Sequence, residues 1–312
     1  MSKRIAIIGC GAIGSLYAAH LAHGGCEVWV FTRRPDHARA LNAEGLRVSG
    51  THEFEARVHA TNDPAEIPDC EFGIVATKAL QTEEAFAPVA RKFDRGAVLS
   101  AQNGLGSEEI LAKLTRGYII RGTTFMSGTR HSDTHVQYEL DTPTWMGPFE
   151  PTHTPFAKVQ ELAELIVAGG LRAIALEDAR PAQWSKLLFN SAVNAVSALT
   201  GLPHSPHFAD RGQPSSLGHL LFDLFEEGKR VAAALGVRLH DDPWEMNQIG
   251  AQTNHPTSML YDVEHQQPTE VEFLAGAIAR EAERAGVPAP LHTALYRLIK
   301  GKETSWALRG GH

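Results

Sequence analysis

Four polar residues recur at helical spacing within an otherwise apolar stretch of the second half of the chain. Lys186, Asn190, Asn194 and Ser197 follow one another at intervals of four, four and three residues, which places them on one stripe of a helix. Their neighbours between 184 and 199 are mostly apolar, so this helix should be buried nearly all round. A polar stripe on a buried helix needs partners. Either it pairs with protein groups across a helix interface or it lines a wet cleft and offers hydrogen bonds to a substrate, and a solvated surface stripe is the third alternative.

A carboxylate further along the chain is a candidate partner for a buried lysine. Thr269 and Glu270 begin a predicted helix that runs to Ala285. Thr269 or a neighbouring residue suits the capping position, and an acidic residue at 270 suits the positive end of the helix. A carboxylate near a buried lysine would also keep the ammonium group charged, as a general acid requires. Both roles remain open for Glu270.

A glycine-rich string near the N-terminus matches the G-x-G-x-x-G fingerprint. It follows the predicted strand Ile5–Ile8 directly and opens a predicted helix from Ala12 to His23, which is the context that gives the fingerprint its meaning. In that context backbone N–H groups at a helix N-terminus bind a pyrophosphate. A glycine-rich turn without a ligand is the alternative. The candidate dinucleotide-binding residues are Gly9, Cys10, Gly11, Ala12, Ile13 and Gly14.

The end of the second predicted strand bears on which dinucleotide is bound. A carboxylate there selects a ribose 2′-hydroxyl, whereas an arginine accommodates a 2′-phosphate. This chain has Thr32, Arg33 and Arg34 at that point, and the nearest carboxylate is Asp36. The pattern favours NADPH over NADH, unless both arginines are solvated loop charges.

Two later strand ends carry further polar side chains. Lys78 and Gln81 follow one apolar run and Asn103 follows the next. Ligands of open α/β folds bind at the carboxyl edge of the sheet, so these residues are cofactor candidates. A solvated turn lysine and an ordinary Asn-Gly turn are the alternatives.

Two domains of different character must position these residues. Up to about Asp178, short apolar runs alternate with helical stretches, which predicts a mostly parallel sheet. Val136, Tyr138 and Leu140 alternate with polar neighbours, as in an exposed antiparallel strand or hairpin. The predicted strands are Ile5–Ile8, Glu27–Phe31, Gly73–Ala76, Ala97–Ser100, Tyr118–Gly122 and Leu171–Leu176.

Beyond Asp178 the strand signal fades and helical periodicity continues through 184–199, 217–235, 270–285 and 291–300. We therefore expect an α/β fold in which a sheet domain at 1–178 precedes an all-helical domain at 179–312. A chain of 312 residues is long enough for both domains to have their own core.

Composition excludes several classes of protein. With 43% hydrophobic and 21% charged residues, disorder is not expected. A net charge of −7 argues against nucleic acid or anionic membranes as partners, and no stretch predicts a transmembrane segment. Three cysteines cannot form a disulfide framework, which fits a cytoplasmic protein. The histidine pairs at 131 and 135 and at 204 and 207 lack further ligands, so no metal site is expected.

In combination, the motifs along both halves of the chain resemble the ketopantoate reductase family, also called 2-dehydropantoate 2-reductases. The resemblance implies an N-terminal Rossmann-type domain, a helical C-terminal domain, and NADPH-dependent reduction of the small-molecule 2-oxo acid 2-dehydropantoate to (R)-pantoate. The motifs that carry it are Gly9-x-Gly-x-x-Gly14, Thr77-Lys78, Gln102-Asn-Gly104, Trp184-x-Lys186-x-x-x-Asn190-x-x-x-Asn194, Ser258-Met-Leu-x-Asp262 and Thr269-Glu270.

The resemblance also implies roles for residues of the helical half. Lys186 matches the family's general acid, and Asn190 and Asn194 match asparagines that hold the substrate. Ser258 matches the serine that contacts the substrate carboxylate. Asn254 is similar to another substrate asparagine, although its spacing to Ser258 is one residue longer than in better-known members.

For the cofactor, the resemblance matches Lys78, Gln81 and Asn103 to residues around the nicotinamide. Arg33 matches the basic residue at the NADPH phosphate, and Glu270 matches a carboxylate that supports the cofactor and the active site.

Two departures from the family pattern concern the substrate. The segment between Phe125 and Gly147 lacks the Pro-Gly turn and His-x-Gly pattern that members often show, and His204 stands where some members have an asparagine. A D-2-hydroxyacid dehydrogenase acting on another 2-oxo acid is therefore the alternative function. A regulator that binds NADPH without catalysis is a third reading, and both a monomer and a homodimer fit the sequence.

Overall fold

The computed structural model describes residues 2–309. They divide into two compact units: residues 2–102 with 107–179, and residues 103–106 with 180–309. The predicted domain ends at 1 and 312 lie outside the described residues. The predicted boundary after residue 178 assigned the segment 103–106 to the sheet domain, whereas in the structure this segment groups with the helical unit.

The first unit mixes strands and helices, as its alternating pattern predicts. Its strands are β1 Arg4–Ile8, β2 Glu27–Phe31, β3 Leu46–Gly50, β4 Phe54–Ala56, β5 His59–Thr61, β6 Phe72–Val75, β7 Ala97–Ser100, β8 Tyr118–Thr124, β9 Ser127–Arg130, β10 His135–Leu140, β11 Thr144–Pro148 and β12 Ala173–Ala175. Its helices are α1 Ala12–His23, α2 Pro35–Glu44, α3 Thr82–Phe86, α4 Ser107–Leu114 and α5 Phe156–Ala168. Short 3-10 turns lie at Ala79–Gln81, Ala87–Phe93 and Glu150–Thr152.

The larger sheet has the strand order β12-β11-β8-β7-β6-β1-β2-β5. Its central strands pair in parallel, and β11 runs antiparallel to β8. β1, β6 and β7 are almost entirely buried because both faces of a parallel sheet are covered. Ile8 pairs with Phe31 and with Val75, and Val75 pairs with Ser100, so four strands end side by side. This register brings the loops after β2, β1, β6 and β7 to one edge.

A second sheet, with the order β4-β3-β10-β9, was not predicted as a sheet. β10 pairs in parallel with β3 and antiparallel with β9. The predicted antiparallel hairpin is present as β9 and β10, and the alternation corresponds to one covered face, since Val136 and Tyr138 are buried in a core that includes Leu16 and Leu21 of α1. The neighbouring strands β3, β4 and β5 contain three to five residues each, too few for a clear alternating pattern.

The second unit is helical, which confirms the predicted fold class. Its helices are α6 Arg180–Thr200, α7 Leu217–Ala234, α8 Pro243–Gly250, α9 Ser258–Glu264, α10 Ala275–Ala285 and α11 Pro290–Arg309, with 3-10 turns at Pro206–Phe208, Ala251–Thr253 and Glu270–Glu272. The predicted helix 270–285 is interrupted at residues 273 and 274. Within residues 2–309, no helix combines the length and apolar character needed to cross a membrane.

Candidate active site

The glycine loop, residues 9–14, joins β1 to α1 in the first unit. Gly9 has a φ of 93°, a conformation that favours glycine. A Cβ atom at Gly14 would lie 1.9 Å from the carbonyl oxygen of Gly9, so helix and loop can pack this closely only with glycine there. A Cβ atom at Gly11 would meet nothing within 4 Å. The loop is therefore tightly packed against the protein at Gly9 and Gly14, whereas at Gly11 there is open space next to the backbone.

The N-terminus of α1 behind this loop is suited to an anion. No side chain caps the helix at Gly11, and its first turn contains no acidic residue. The N–H groups of the first turn and the helix dipole are thus left for a bound group. Burial raises the pKa of the Cys10 thiol to about 11, so Cys10 adds no negative charge beside it. The loop fits the pyrophosphate of a dinucleotide.

Side chains at the end of β2 form a charged cluster. Arg33 lies 3.6 Å from Glu84, and both side chains are largely exposed. Arg34 is bound by Asp36 and by Asp133, which comes from the connection between β9 and β10. Sequence spacing located no carboxylate at this strand end, yet the fold places Asp133 there from 99 residues away.

The loops after β6 and β7 are joined by the side chain of Gln102. Its Nε2 donates to the carbonyl oxygen of Thr77 at 3.1 Å, to Thr77 Oγ1 at 3.1 Å and to Thr82 Oγ1 at 2.8 Å. Lys78, which is exposed, and Gln81, which is half-buried, lie in the loop between those two threonines. Gln102 therefore fixes the backbone that carries both candidate residues.

In the second unit, α6 carries the polar stripe and is buried along nearly all of its length, as predicted. Ser197 donates to the carbonyl oxygen of Leu202 at 2.6 Å, so the end of the stripe pairs with protein. Asn190 and Asn194 are 9% and 6% exposed. Among residues 2–309, neither side-chain amide has a hydrogen-bond partner. Their amide atoms are not sealed from solvent, so they are open to hydrogen bonds from a ligand.

Lys186 lies on the same helix, four residues before Asn190. Burial lowers the pKa of Lys186 to about 8, while the negative charge of Glu270 opposes that shift. Glu270 is itself buried and accepts a hydrogen bond of 3.4 Å from Asn103 Nδ2. The arrangement keeps the ammonium group mostly charged at neutral pH but able to release its proton.

The capping role left open for Glu270 belongs to its neighbour. Thr269 Oγ1 accepts a hydrogen bond from the N–H of Val271 and donates one to Glu303 at 2.6 Å. The side chain of Glu270 instead accepts the hydrogen bond from Asn103, and its charge acts on Lys186. What it begins is a 3-10 turn and not the long helix that the pattern predicted.

Asn103 reaches Glu270 because the segment 103–106 packs within the second unit. The N–H of Leu105 donates to the carbonyl oxygen of Phe273 at 3.0 Å, and Gln183 Nε2 donates to the carbonyl oxygen of Gly104 at 3.2 Å. A Cβ atom at Gly104 would lie 2.2 Å from the Phe273 oxygen. Phe273 lies where the predicted helix is interrupted, and the backbone of Leu274 is not helical, with φ −107° and ψ −101°.

Asn254 and Ser258 are exposed in the described structure. Asn254 has a φ of 50°, in the left-handed region that asparagine tolerates. Ser258 is the first residue of α9, which Thr257 caps. Their substrate-binding roles stay predictions.

His204 is buried by packing and hydrogen bonds. Its Nε2 lies 2.9 Å from Asn247 Oδ1, and its ring packs edge-on against Phe189 and Phe208. Its backbone exchanges two hydrogen bonds of 2.9 Å with His255. His204 therefore links the loop after α6 to His255, the residue that follows Asn254. Across residues 2–309, no group of three potential ligands gathers as a metal site.

One buried polar array was not predicted at all. Ser191 Oγ lies 3.2 Å from His292 Nε2, and His292 Nδ1 lies 2.9 Å from Glu227 Oε1. Glu227 also accepts from the N–H groups of Leu291 and His292 at the start of α11. Ser191, Glu227 and His292 are at most 1% exposed, so this array holds helices together and does not meet a substrate. Its members are too far apart in the chain to give a local signal.

Two family models match the chain. The model described as ketopantoate reductase PanE/ApbA matches residues 5–151, and the model of the C-terminal part of the same family matches residues 178–303.

Individual relatives agree with the family models. A 2-dehydropantoate 2-reductase of Archaeoglobus fulgidus is 32% identical over 308 residues, covering 97% of this chain and 98% of the relative. A second one, from Pyrococcus abyssi, is 29% identical over 304 residues, covering 96% and 98%.

Solved structures share the fold. A PanE/ApbA family ketopantoate reductase from Ralstonia eutropha superposes with a TM-score of 0.84 at 27% identity, covering 97% of this chain and 99% of that one. A D-mandelate dehydrogenase solved with NADH and anilino(oxo)acetate also gives a TM-score of 0.84 and the same coverage, at 23% identity.

Proposed function

Because the chain belongs to the ketopantoate reductase PanE/ApbA family, an oxidoreductase family acting on CH–OH groups, we propose that it reduces 2-dehydropantoate to (R)-pantoate with NADPH. One observation carries the proposal. On α6 the half-buried Lys186, whose pKa feels the charge of Glu270, precedes Asn190 and Asn194 at four-residue spacing, and these two asparagines are not hydrogen-bonded to other described residues.

In the proposed reaction, the reduced nicotinamide, when bound, supplies a hydride to the keto carbon of the substrate. Negative charge then grows on the keto oxygen. Protonated Lys186 stabilises that charge and delivers its proton to the oxygen. Glu270 keeps the ammonium form populated before the transfer. The pKa of about 8 suits this role, because a general acid works best with a pKa near the operating pH.

The remaining site residues bind and orient. In the proposal, Asn190 and Asn194 hold the substrate from α6, Ser258 contacts its carboxylate and Asn254 contributes a further hydrogen bond. The dinucleotide is held by the open glycine loop, by Arg33 at the 2′-phosphate and by Lys78, Gln81 and Asn103 around the nicotinamide. The fit of the loop rests on the open space at Gly11 and the uncapped N-terminus of α1.

A D-2-hydroxyacid dehydrogenase acting on another 2-oxo acid is the second candidate, because the segment 125–147 and His204 depart from the family pattern. The test is NADPH oxidation, followed by absorbance, with 2-dehydropantoate beside other aliphatic and aromatic 2-oxo acids. A preference for 2-dehydropantoate supports the proposal. A preference for another acid replaces the substrate and keeps the mechanism, whereas NADPH binding without turnover of any acid indicates the non-catalytic regulator.

We predict that Glu270→Gln shifts the pH profile of the reduction toward lower pH. The active form of Lys186 is the ammonium ion, so kcat/KM of the wild-type protein should fall as pH rises through about 8. Glu270 raises the pKa of Lys186, and without its charge the ammonium group loses its proton at lower pH.

The matched control is Glu272→Gln, which removes the same charge from the same 3-10 turn. Glu272 binds Arg280 and Tyr296. Its replacement should leave the descending limb near its wild-type position. Equal displacement in both variants would contradict the specific role of Glu270.

A further inference from the structure

The connection between β9 and β10 reaches the end of β2, where the sequence suggested that cofactors are distinguished. Asp133 in this connection binds Arg34 with its carboxylate and also lies 3.4 Å from Arg130. The hairpin is anchored there, because Thr134 Oγ1 donates to Glu44 at 2.8 Å and the N–H of Arg47 donates to the Thr134 carbonyl oxygen at 2.8 Å. The fold thus places the carboxylate of Asp133 at the end of β2, although Asp133 is distant from β2 in the sequence.

Arg34 is already shared between two carboxylates. Asp36 receives two hydrogen bonds from its guanidinium group, at 3.3 and 3.0 Å, and Asp133 receives another. Two negative charges on one guanidinium leave little attraction for a third anion. Arg33, whose contact with Glu84 is 3.6 Å long and exposed, is the freer of the two arginines.

The backbone of Asp133 also sets the hydrogen-bonding character of Thr32. His37 Nε2 lies 3.0 Å from the Asp133 carbonyl oxygen, which can only accept, so this nitrogen carries the proton. In the neutral ring Nδ1 is then an acceptor, and Thr32 Oγ1 donates to it at 3.2 Å. Burial lowers the pKa of His37, which favours the neutral ring. Thr32 is therefore left with acceptor lone pairs, which suit a hydroxyl donor better than a phosphate.

We propose that Asp133 is a specificity-determining residue that limits the preference for a ribose 2′-phosphate, so that the protein binds both NADPH and NADH. This inference rests on the proposed use of a nicotinamide dinucleotide. A 2′-phosphate carries close to two negative charges at neutral pH, whereas a 2′-hydroxyl is neutral. Asp133 repels the 2′-phosphate and, by binding Arg34, keeps this second arginine from assisting Arg33 there. It has little effect on a 2′-hydroxyl.

The experiment titrates 2′,5′-ADP and 5′-AMP, which carry no nicotinamide, into the protein by calorimetry. In Asp133→Asn the dissociation constant for 2′,5′-ADP should fall about 5- to 20-fold, while that for 5′-AMP stays within about twofold. This gain in affinity for 2′,5′-ADP should be smaller at high salt, because Arg34 and Asp133 are partly exposed and their charges are screened. NADPH and NADH, titrated by fluorescence, should show the same change in ratio.

Two further variants serve as controls. Glu139→Gln removes one charge from the same hairpin at a residue that binds Thr129, and should leave the ratio of the two constants unchanged. Asp133→Glu keeps the charge and should retain the wild-type ratio, which separates charge from local folding. If Asp133→Asn and the wild type have the same ratio, the inference is overturned while cofactor binding stands. If the wild type binds neither nucleotide, the proposed dinucleotide function fails as well.

Discussion

Replacing Lys186 by alanine is expected to lower kcat for reduction of the 2-oxo acid by about 10²–10⁴-fold, the range typical of losing a positioned general acid. Lys186 is the group that burial and Glu270 hold near a pKa of 8. Without it, the proposed site loses the cation that stabilises the negative charge developing on the keto oxygen. The dissociation constant for NADPH should stay near its wild-type value, because the residues proposed to bind the adenosine and pyrophosphate lie in the first unit.

Steady-state kinetics with the preferred 2-oxo acid, together with a fluorescence titration of NADPH, measure both quantities. Lys113→Ala, at an exposed position on α4, is the control and should be indistinguishable from the wild type. Turnover close to normal in Lys186→Ala would remove Lys186 from the mechanism.

Lys186→Arg separates charge stabilisation from proton delivery. An arginine keeps a positive charge but its pKa is far too high to release the proton. We expect a rate between those of the wild type and the alanine variant, without the descending limb near pH 8. A full wild-type rate would mean that a positive charge suffices and that the proton comes from elsewhere.

Replacing Glu227 by alanine is expected to lower the free energy of unfolding by about 3–5 kcal/mol, because each buried donor left without its acceptor costs about 1–3 kcal/mol. Glu227 accepts from His292 Nδ1 and from the N–H groups of Leu291 and His292. In the variant these buried donors lose their acceptor. Urea unfolding followed by circular dichroism would measure the loss.

The pH dependence of that stability has a definite sign. Burial alone would raise the pKa of Glu227, but the hydrogen bonds from His292 and from the backbone of 291 and 292 lower it below its usual 4.5. The unfolded chain thus binds the proton more readily, so the carboxylate stabilises the fold above pH 4.5 and that contribution is lost as pH falls through the folded-state pKa. The difference in the free energy of unfolding between the wild type and Glu227→Gln should therefore become smaller at acid pH.

Glu226→Ala is the matched control for Glu227. Glu226 forms a partly exposed pair with Lys229 one turn along α7, and such pairs contribute about 0–1 kcal/mol. An equal loss of stability in both variants would show that the buried array is not the cause.

Sequence patterns predicted those features that local rules determine. The loop from Gly9 to Gly14 and the helix Ala12–His23 follow from glycine spacing next to an apolar strand, and the structure has that helix with the same bounds. Burial of α6 followed from the apolar residues around its polar stripe. Both patterns lie within about two dozen consecutive residues.

Features that depend on distant contacts could not be predicted in the same way. Asp133 meets Arg34 across 99 residues, and His292 meets Ser191 across 101. At the break after Glu272, the carbonyl oxygen of Phe273 accepts from the N–H of Leu105, a residue far away in the chain. In each case the tertiary fold brings the two residues together, and the local sequence around either residue contains no signal that predicts the contact.

Residues 103–106 have a consequence for how the polypeptide is made and how it can be cut. Asn103 leaves the ribosome 167 residues before Glu270, so its acceptor does not exist until most of the chain has been synthesised. A fragment beginning at residue 180 would lack the donor for the Phe273 carbonyl oxygen and the amide that binds Glu270. The helical half is therefore not an independent module that can be excised by a single cleavage, since four of its residues are encoded within the other half.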